Sequence, residues 1–177
     1  MAASSNNQAK NVKLGVCRVL FDGVDLGFTK GGVEVSVATE THEVQVDQAG
    51  QTPINEYIMG RTVTVKAPLA ETTLENLVAI MPGAKLVTDG TSQAKRVDVA
   101  LGVGVSLLDS AKTLTLHPVA LPEADKSEDF TVFKAATAGA LDFAYKLDDE
   151  RVFSCEFKGY PNEDNLLFAF GDPLAGV

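Results

Sequence analysis

Two histidines and two cysteines are the side chains best suited to nucleophilic, acid–base or metal chemistry in this chain. His42 and His117 lack Cys, His or carboxylate partners at the spacing that metal sites use. A Ser-His-Asp arrangement would need a nucleophile on a sharp strand–helix turn, and no Gly-x-Ser-x-Gly sequence supplies one. Gly102-Val103-Gly104 lacks the third glycine of a dinucleotide fingerprint and falls inside a strand pattern, and there is no Walker A sequence. Cys17 and Cys155 form neither a metal motif nor a disulfide framework, and read as small reduced core residues. The acidic runs Asp148-Asp149-Glu150 and Glu163-Asp164 lie in turn contexts without the spacing of an EF-hand loop, and read as solvated turn residues. No catalytic residue, metal or cofactor is therefore expected.

The elements that carry these residues are mostly strands. Val33, Val35 and Val37 alternate with Glu34, Ser36 and Ala38, and Val63 and Val65 with Thr62, Thr64 and Lys66. Leu141, Phe143, Tyr145 and Leu147 alternate with Asp142, Ala144 and Lys146, and Phe153, Cys155 and Phe157 with Ser154, Glu156 and Lys158. Period-2 patterns of this kind describe half-buried strands of an antiparallel architecture. The longest alternation covers residues 97–107, with Asp98, Ala100, Gly102, Gly104 and Ser106 making one face very small. It reads as one strand approached closely by another backbone, or as two shorter strands with a bend at the glycines. The phase changes between Val37 and Val44, which requires a bulge or turn near residues 39–43.

One helix is predicted. Leu74, Leu77, Val78 and Met81 share a face, Thr72 or Thr73 can cap the start, and Pro82-Gly83 ends it. It should cover one open end or face of the sheets.

Residues 47–61, DQAGQTPINEYIMGR, read as a long inter-strand loop punctuated by Gly50, Pro53 and Gly60. Two to five residues suffice for a tight hairpin. The segment carries an apolar cluster, Ile54, Tyr57, Ile58 and Met59, bounded by Asp47 and Arg61. Those side chains either fold back over the chain's own core or form an interface, as exposed apolar patches do. If they form an interface, these six residues are its candidates.

The chain has 177 residues, a length that suits one domain. A core of that size needs no metal or disulfide to fold. Residues 1–10, MAASSNNQAK, have no charged region followed by an apolar one, and read as a mobile polar tail rather than a secretory leader. Residues 11–177 read as the single domain. No apolar run reaches 18 residues, so no membrane span or anchor is expected. The net charge is −9, from 24 acidic and 15 basic residues, which argues against a protein that grips nucleic acid through clustered Lys and Arg.

Several segments resemble the tail tube (major tail) proteins of long-tailed bacteriophages. The matching stretches are LGFTKGGVEV from Leu26, ETHEVQVDQ from Glu40, PINEYIMG from Pro53 and AETTLENL from Ala70. Glu150-Arg151-Val152-Phe153, Gly159-Tyr160-Pro161 and Gly171-Asp172-Pro173 are similar too. These stretches cover less than half of the chain, whereas the order of elements covers nearly all of it.

The resemblance implies a mainly β fold, an antiparallel β-sandwich or barrel with one flanking α-helix and a long inter-strand loop. It implies hexameric rings that stack into a hollow tube, through which viral DNA passes during ejection into the bacterial host without specific binding. The loop would reach a neighbouring subunit or ring. Partners expected on the same ground are further copies of the chain and the tape-measure, tail terminator and tail-tip proteins. Assembly would take place in the host cytoplasm and the product would be part of the virion tail.

Alternation combined with that architecture gives a set of lumen-facing candidates: Glu34, Ser36, Glu40, Thr62, Thr64, Lys66 and Asp98. A tube built from copies at −9 each is acidic and disfavours DNA sticking. Two other readings remain open at this point. A secreted injection-system tube protein shares the ring and tube geometry. A monomeric β-sandwich binding module would need an aromatic platform, for which the chain has no Trp and only Tyr57, Tyr145 and Tyr160.

Overall fold

The computed structural model describes residues 12–175. The polar tail expected at residues 1–10 lies outside the described residues. Ten strands and one helix follow in the order β1 (Cys17–Phe21), β2 (Val24–Asp25), β3 (Glu34–Val44), β4 (Asn55–Leu69), α1 (Leu74–Ile80), β5 (Ala84–Thr88), β6 (Lys95–Val99), β7 (Lys112–Pro118), β8 (Phe130–Thr137), β9 (Phe153–Tyr160) and β10 (Phe168–Phe170). All pairings are antiparallel. The main sheet runs β2-β1-β7-β8-β9-β4-β3, with β10 also on β8, while β5 and β6 form a separate hairpin.

The sheet curls because β8 serves two neighbours on one side. Its first half, Phe130 to Val132, pairs with β10, and its second half, Lys134 to Thr137, pairs with β9. The inner faces then meet as a sandwich. Val19, Phe21, Leu114, Leu116 and Val132 come from one layer, and Val63, Val65, Leu69, Phe153, Cys155 and Phe157 from the other, in one buried cluster. Phe21 and Phe157 touch across it, with ring centroids 5.2 Å apart. Gly159 keeps the layers close: an added Cβ would lie 2.1 Å from Val63 Cγ1 and 2.9 Å from Val132 Cγ1.

The helix forms as predicted from its cap, since Thr73 accepts a hydrogen bond from the Asn76 N–H at 3.1 Å. Its buried side differs from the expected apolar stripe. Ile80 and Asn76 are buried, Leu77 packs on the core, and Leu74 is exposed. Asn76 turns inward because its amide donates to the Leu26 and Glu71 carbonyls, both at 2.8 Å. The Glu71 carboxylate in turn receives the Phe28 N–H and fills the space beside Gly27, whose φ of 86° suits glycine. Residues 26–30 are thereby strapped to the helix start.

Two expected strands are not strands. Residues 97–107 are extended only to Val99, where β6 ends, and neither the single long strand nor the pair of short ones forms. Gly102 and Gly104 have φ of 70° and 82° and turn the chain instead. Residues 141–147 contribute one bridge, Asp142 to Ser154. There Arg151 intervenes: its guanidinium lies 5.4–5.9 Å from the ring centres of Phe143, Tyr145 and Phe153 and donates to Thr72 Oγ1. Side-chain stacking thus replaces the ladder.

Candidate assembly site

β3 is an edge strand of 11 residues, and β4 runs for 15. β4 pairs with β9 only from Thr64 to Leu69. Residues 55–62 have β3 on one side and, among the described residues, no strand on the other, so the hairpin leaves the sheet as a two-stranded ribbon. At about 3.3 Å per residue it projects roughly 25 Å.

This ribbon corrects the expected loop. Tyr57, Ile58, Met59 and Arg61 belong to β4, and only Asp47 and Ile54 lie in the connection, which begins with a 3-10 turn at Asp47–Ala49. The pairing explains why alternation was hidden. Glu40 faces Gly60 but Thr41 faces Ile58, leaving Met59 as the extra residue of a β-bulge. The register shift falls between Glu40 and Thr41, within residues 39–43 where an irregularity was expected, but the extra residue is on β4; β3 runs on without one, so Val44 lies on the same face as Glu34 and Glu40.

The apolar side chains of the ribbon do not fold back on the core. Ile54, Tyr57, Ile58 and Met59 are 57–68% exposed. The valine face behaves similarly at the edge. Val35 and Val37 lie opposite the buried Val65 and Val63, yet both are exposed.

The polar face is coherent. Register places Glu34 opposite Lys66, Ser36 opposite Thr64, Ala38 opposite Thr62 and Glu40 opposite Gly60, all on one side of the β3–β4 pair. None of the polar side chains enters the core. Asp98 is not with them: it sits on β6, opposite Lys85 in the separate hairpin, and pairs with Arg96. The expectation failed because it extended the alternation of residues 97–107 into a strand of the main sheet.

An apolar cleft of about 500 Å³ opens at the seam between the β3 edge and the opposite layer, lined by Leu14, Val16, Val33, Val35, Phe130 and Phe170 among others. No motif marks it in the sequence, because its walls come from five separate segments.

A second polar constellation was also missed. His117 on β7 meets the buried Asp129 just before β8, with Nδ1 2.6 Å from Oδ1. The His117 Nε2 faces the Leu121 carbonyl at 3.4 Å, so neither ring nitrogen is presented to a nucleophile. The pair ties the β7–β8 connection to the sheet. Twelve positions separate the two residues, which no local pattern reveals. Among the described residues, no group of three metal-ligating side chains is gathered. No described helix is long and apolar enough to cross a membrane.

Both cysteines are free. Cys155 is buried, and burial pushes its thiol up to about 12. Cys17 is only half-buried, at the cleft wall, and burial raises its thiol also. The expectation of two core cysteines therefore holds for Cys155 and needs correction for Cys17, which lies near the open end of β1. The turn acids have partners: Lys30 donates to both Asp149 and Glu150, and holds their carboxyls below the usual range.

No family model matches the chain, and no curated protein matches it.

Proposed function

We propose that this chain is a structural subunit that joins head-to-tail into rings, and that the rings stack into a hollow tube of the phage tail type. The tube would act as the conduit for viral DNA during ejection into the bacterial host. The observation that carries this reading is the ribbon of β3 and β4. It projects from the sheet and exposes Ile54, Tyr57, Ile58 and Met59, a costly arrangement for a chain that stays alone. A β3 edge with no pairing partner among the described residues adds to it, since isolated proteins cover or shorten such edges.

Assembly is non-covalent in this reading and needs neither metal nor cofactor. The ribbon of one copy engages the next, and the polar row of Glu34, Ser36, Glu40, Thr62, Thr64 and Lys66 faces the lumen. Small and mixed-charge side chains suit a wall past which DNA slides. Tape-measure, terminator and tail-tip proteins would bind the finished tube at its length and its ends.

Sedimentation velocity of the purified chain across a hundredfold concentration range tests the proposal. Species of six copies and their multiples are expected. A single monomer boundary at every concentration would contradict it.

A further inference from the structure

The sheet curls until its two ends share one cleft. β1 has β7 on one side, and on the other β2 covers only Leu20 and Phe21. β3 has β4 on one side and, among the described residues, no strand on the other. Leu14, Val16 and Cys17, leading into β1, and Gly32, Val33 and Val35, leading into β3, wall the same opening of about 500 Å³. The path β1-β7-β8-β9-β4-β3 has six strands, each antiparallel to the next, so β1 and β3 run in opposite directions. A ladder between these ends would be antiparallel and would close the sheet into a barrel.

The lead-in to β1 carries the pattern such a ladder needs. Val12, Leu14 and Val16 are 69%, 91% and 65% exposed. Across the cleft, Val33 packs partly on the core, while Val35 and Val37 are exposed. One antiparallel register sets Val16 opposite Val33, Leu14 opposite Val35 and Val12 opposite Val37. A slip of two residues either way loses one of these apolar pairs, and a slip of one puts the two sets on opposite faces.

Little holds the segment away from that position. Residues 12–16 join no ladder, and the Val16 carbonyl accepts one backbone hydrogen bond, from the Val119 N–H. Lys13 makes an ion pair with Glu128, and its own side chain is mostly exposed, which makes the pair a weak hold. Gly15 has φ 147°, and a Cβ added there would meet nothing within 4 Å, so the backbone can pivot at that residue.

We infer that residues 12–16 are a strap that pivots at Gly15 onto the β3 edge of its own chain, in the register that faces Leu14 with Val35, and caps that edge until assembly. The inference rests on the assembly proposed above and names what keeps the edge covered in a subunit that has not yet joined. Val16 stays on its bond to Val119 while residues 12–14 swing. Closure supplies partners for β3 backbone groups and buries the two apolar rows against each other. The same closure denies the edge to a neighbour, so the strap must swing out before a second copy can use it.

Cysteine pairs within one full-length chain test it. In a Cys17→Ser background, Leu14→Cys is combined in turn with Val33→Cys, Val35→Cys or Ser36→Cys, and the monomer fraction is treated at high dilution with a mild oxidant. Cys155 stays silent because it is buried with its thiol pushed to about 12. An intrachain disulfide is expected with Val35→Cys, forming about tenfold or more faster than with Val33→Cys or Ser36→Cys, because directly opposed residues alone bring their Cβ atoms within disulfide reach. The oxidised chain is expected to stay monomeric and to assemble again after reduction. No intrachain disulfide, equal rates at the three positions, or a disulfide only between chains overturns the strap. An oxidised chain that assembles as well as the reduced one overturns its capping role. The disulfide at the expected position in a chain whose reduced form never assembles supports the closure and refutes the ring reading; normal rings without that disulfide refute the strap and leave the ring reading standing.

Discussion

Gly159 shows how a single residue sets the spacing of the layers. A methyl group there would meet Val63 and Val132, both in the core. Gly159→Ala is expected to lower stability by about 1–3 kcal/mol through overpacking, read as a reduced denaturant midpoint at an unchanged m value. Lys30 gives a pH-dependent counterpart. Hydrogen bonds from its ammonium depress the Asp149 and Glu150 carboxyls in the folded chain, so their stabilisation is present above the ordinary carboxylate range and fades as pH falls through the lowered values. The difference in melting temperature between wild type and Lys30→Ala should be small, steady at pH 6–8, begin to shrink below about pH 4, and vanish only at more acid pH, once both carboxylates are protonated in the folded chain. A difference that grew on acidification would contradict this assignment. At this scale the sequence was partly legible. The alternation of Phe153, Cys155 and Phe157 gave the core face, whereas His117 with Asp129 and Asn76 with Leu26 depend on folding that brings distant residues together.

Among the elements, the β3–β4 ribbon decides the most. Its base was visible as alternation at residues 33–37 and 62–66, and an irregularity was expected near residues 39–43, although the extra residue proves to be on β4. Its true extent was hidden because the extra residue Met59 puts Tyr57, Ile58 and Met59 side by side as an unpatterned apolar run. Conversely, residues 100–107 and 141–147 continue good alternation yet are not strands, because glycine turns and the Arg151 stack override the local pattern. Replacing Ile54, Tyr57 and Ile58 together with Asp should leave the fold intact, since all three are exposed on the ribbon. Circular dichroism should be unchanged and the melting temperature should move by only a few degrees, as is usual for surface changes. The concentration needed for assembly should rise about tenfold or more for each apolar side chain that no longer docks on a neighbour. Normal assembly by that variant would show that the ribbon is not the joining element.

On the scale of the whole molecule, the antiparallel sandwich with one flanking helix was legible from period-2 patterning and one capped helical segment. The curl of the sheet was not, because it depends on β8 dividing one of its edges between β9 and β10. What remains open in the isolated chain lies at the two ends of the sheet path: a long bare strand at one end and a barely covered one at the other. If copies join as proposed, a net charge of −9 on each opposes their approach, and early assembly should be sensitive to salt.

Negative-stain electron microscopy of the purified full-length chain, over a range of concentration and salt, tests the central claim most directly. Rings of six subunits with an open centre, and tubes built by stacking them, are the predicted result. Compact particles the size of one chain under every condition would contradict it.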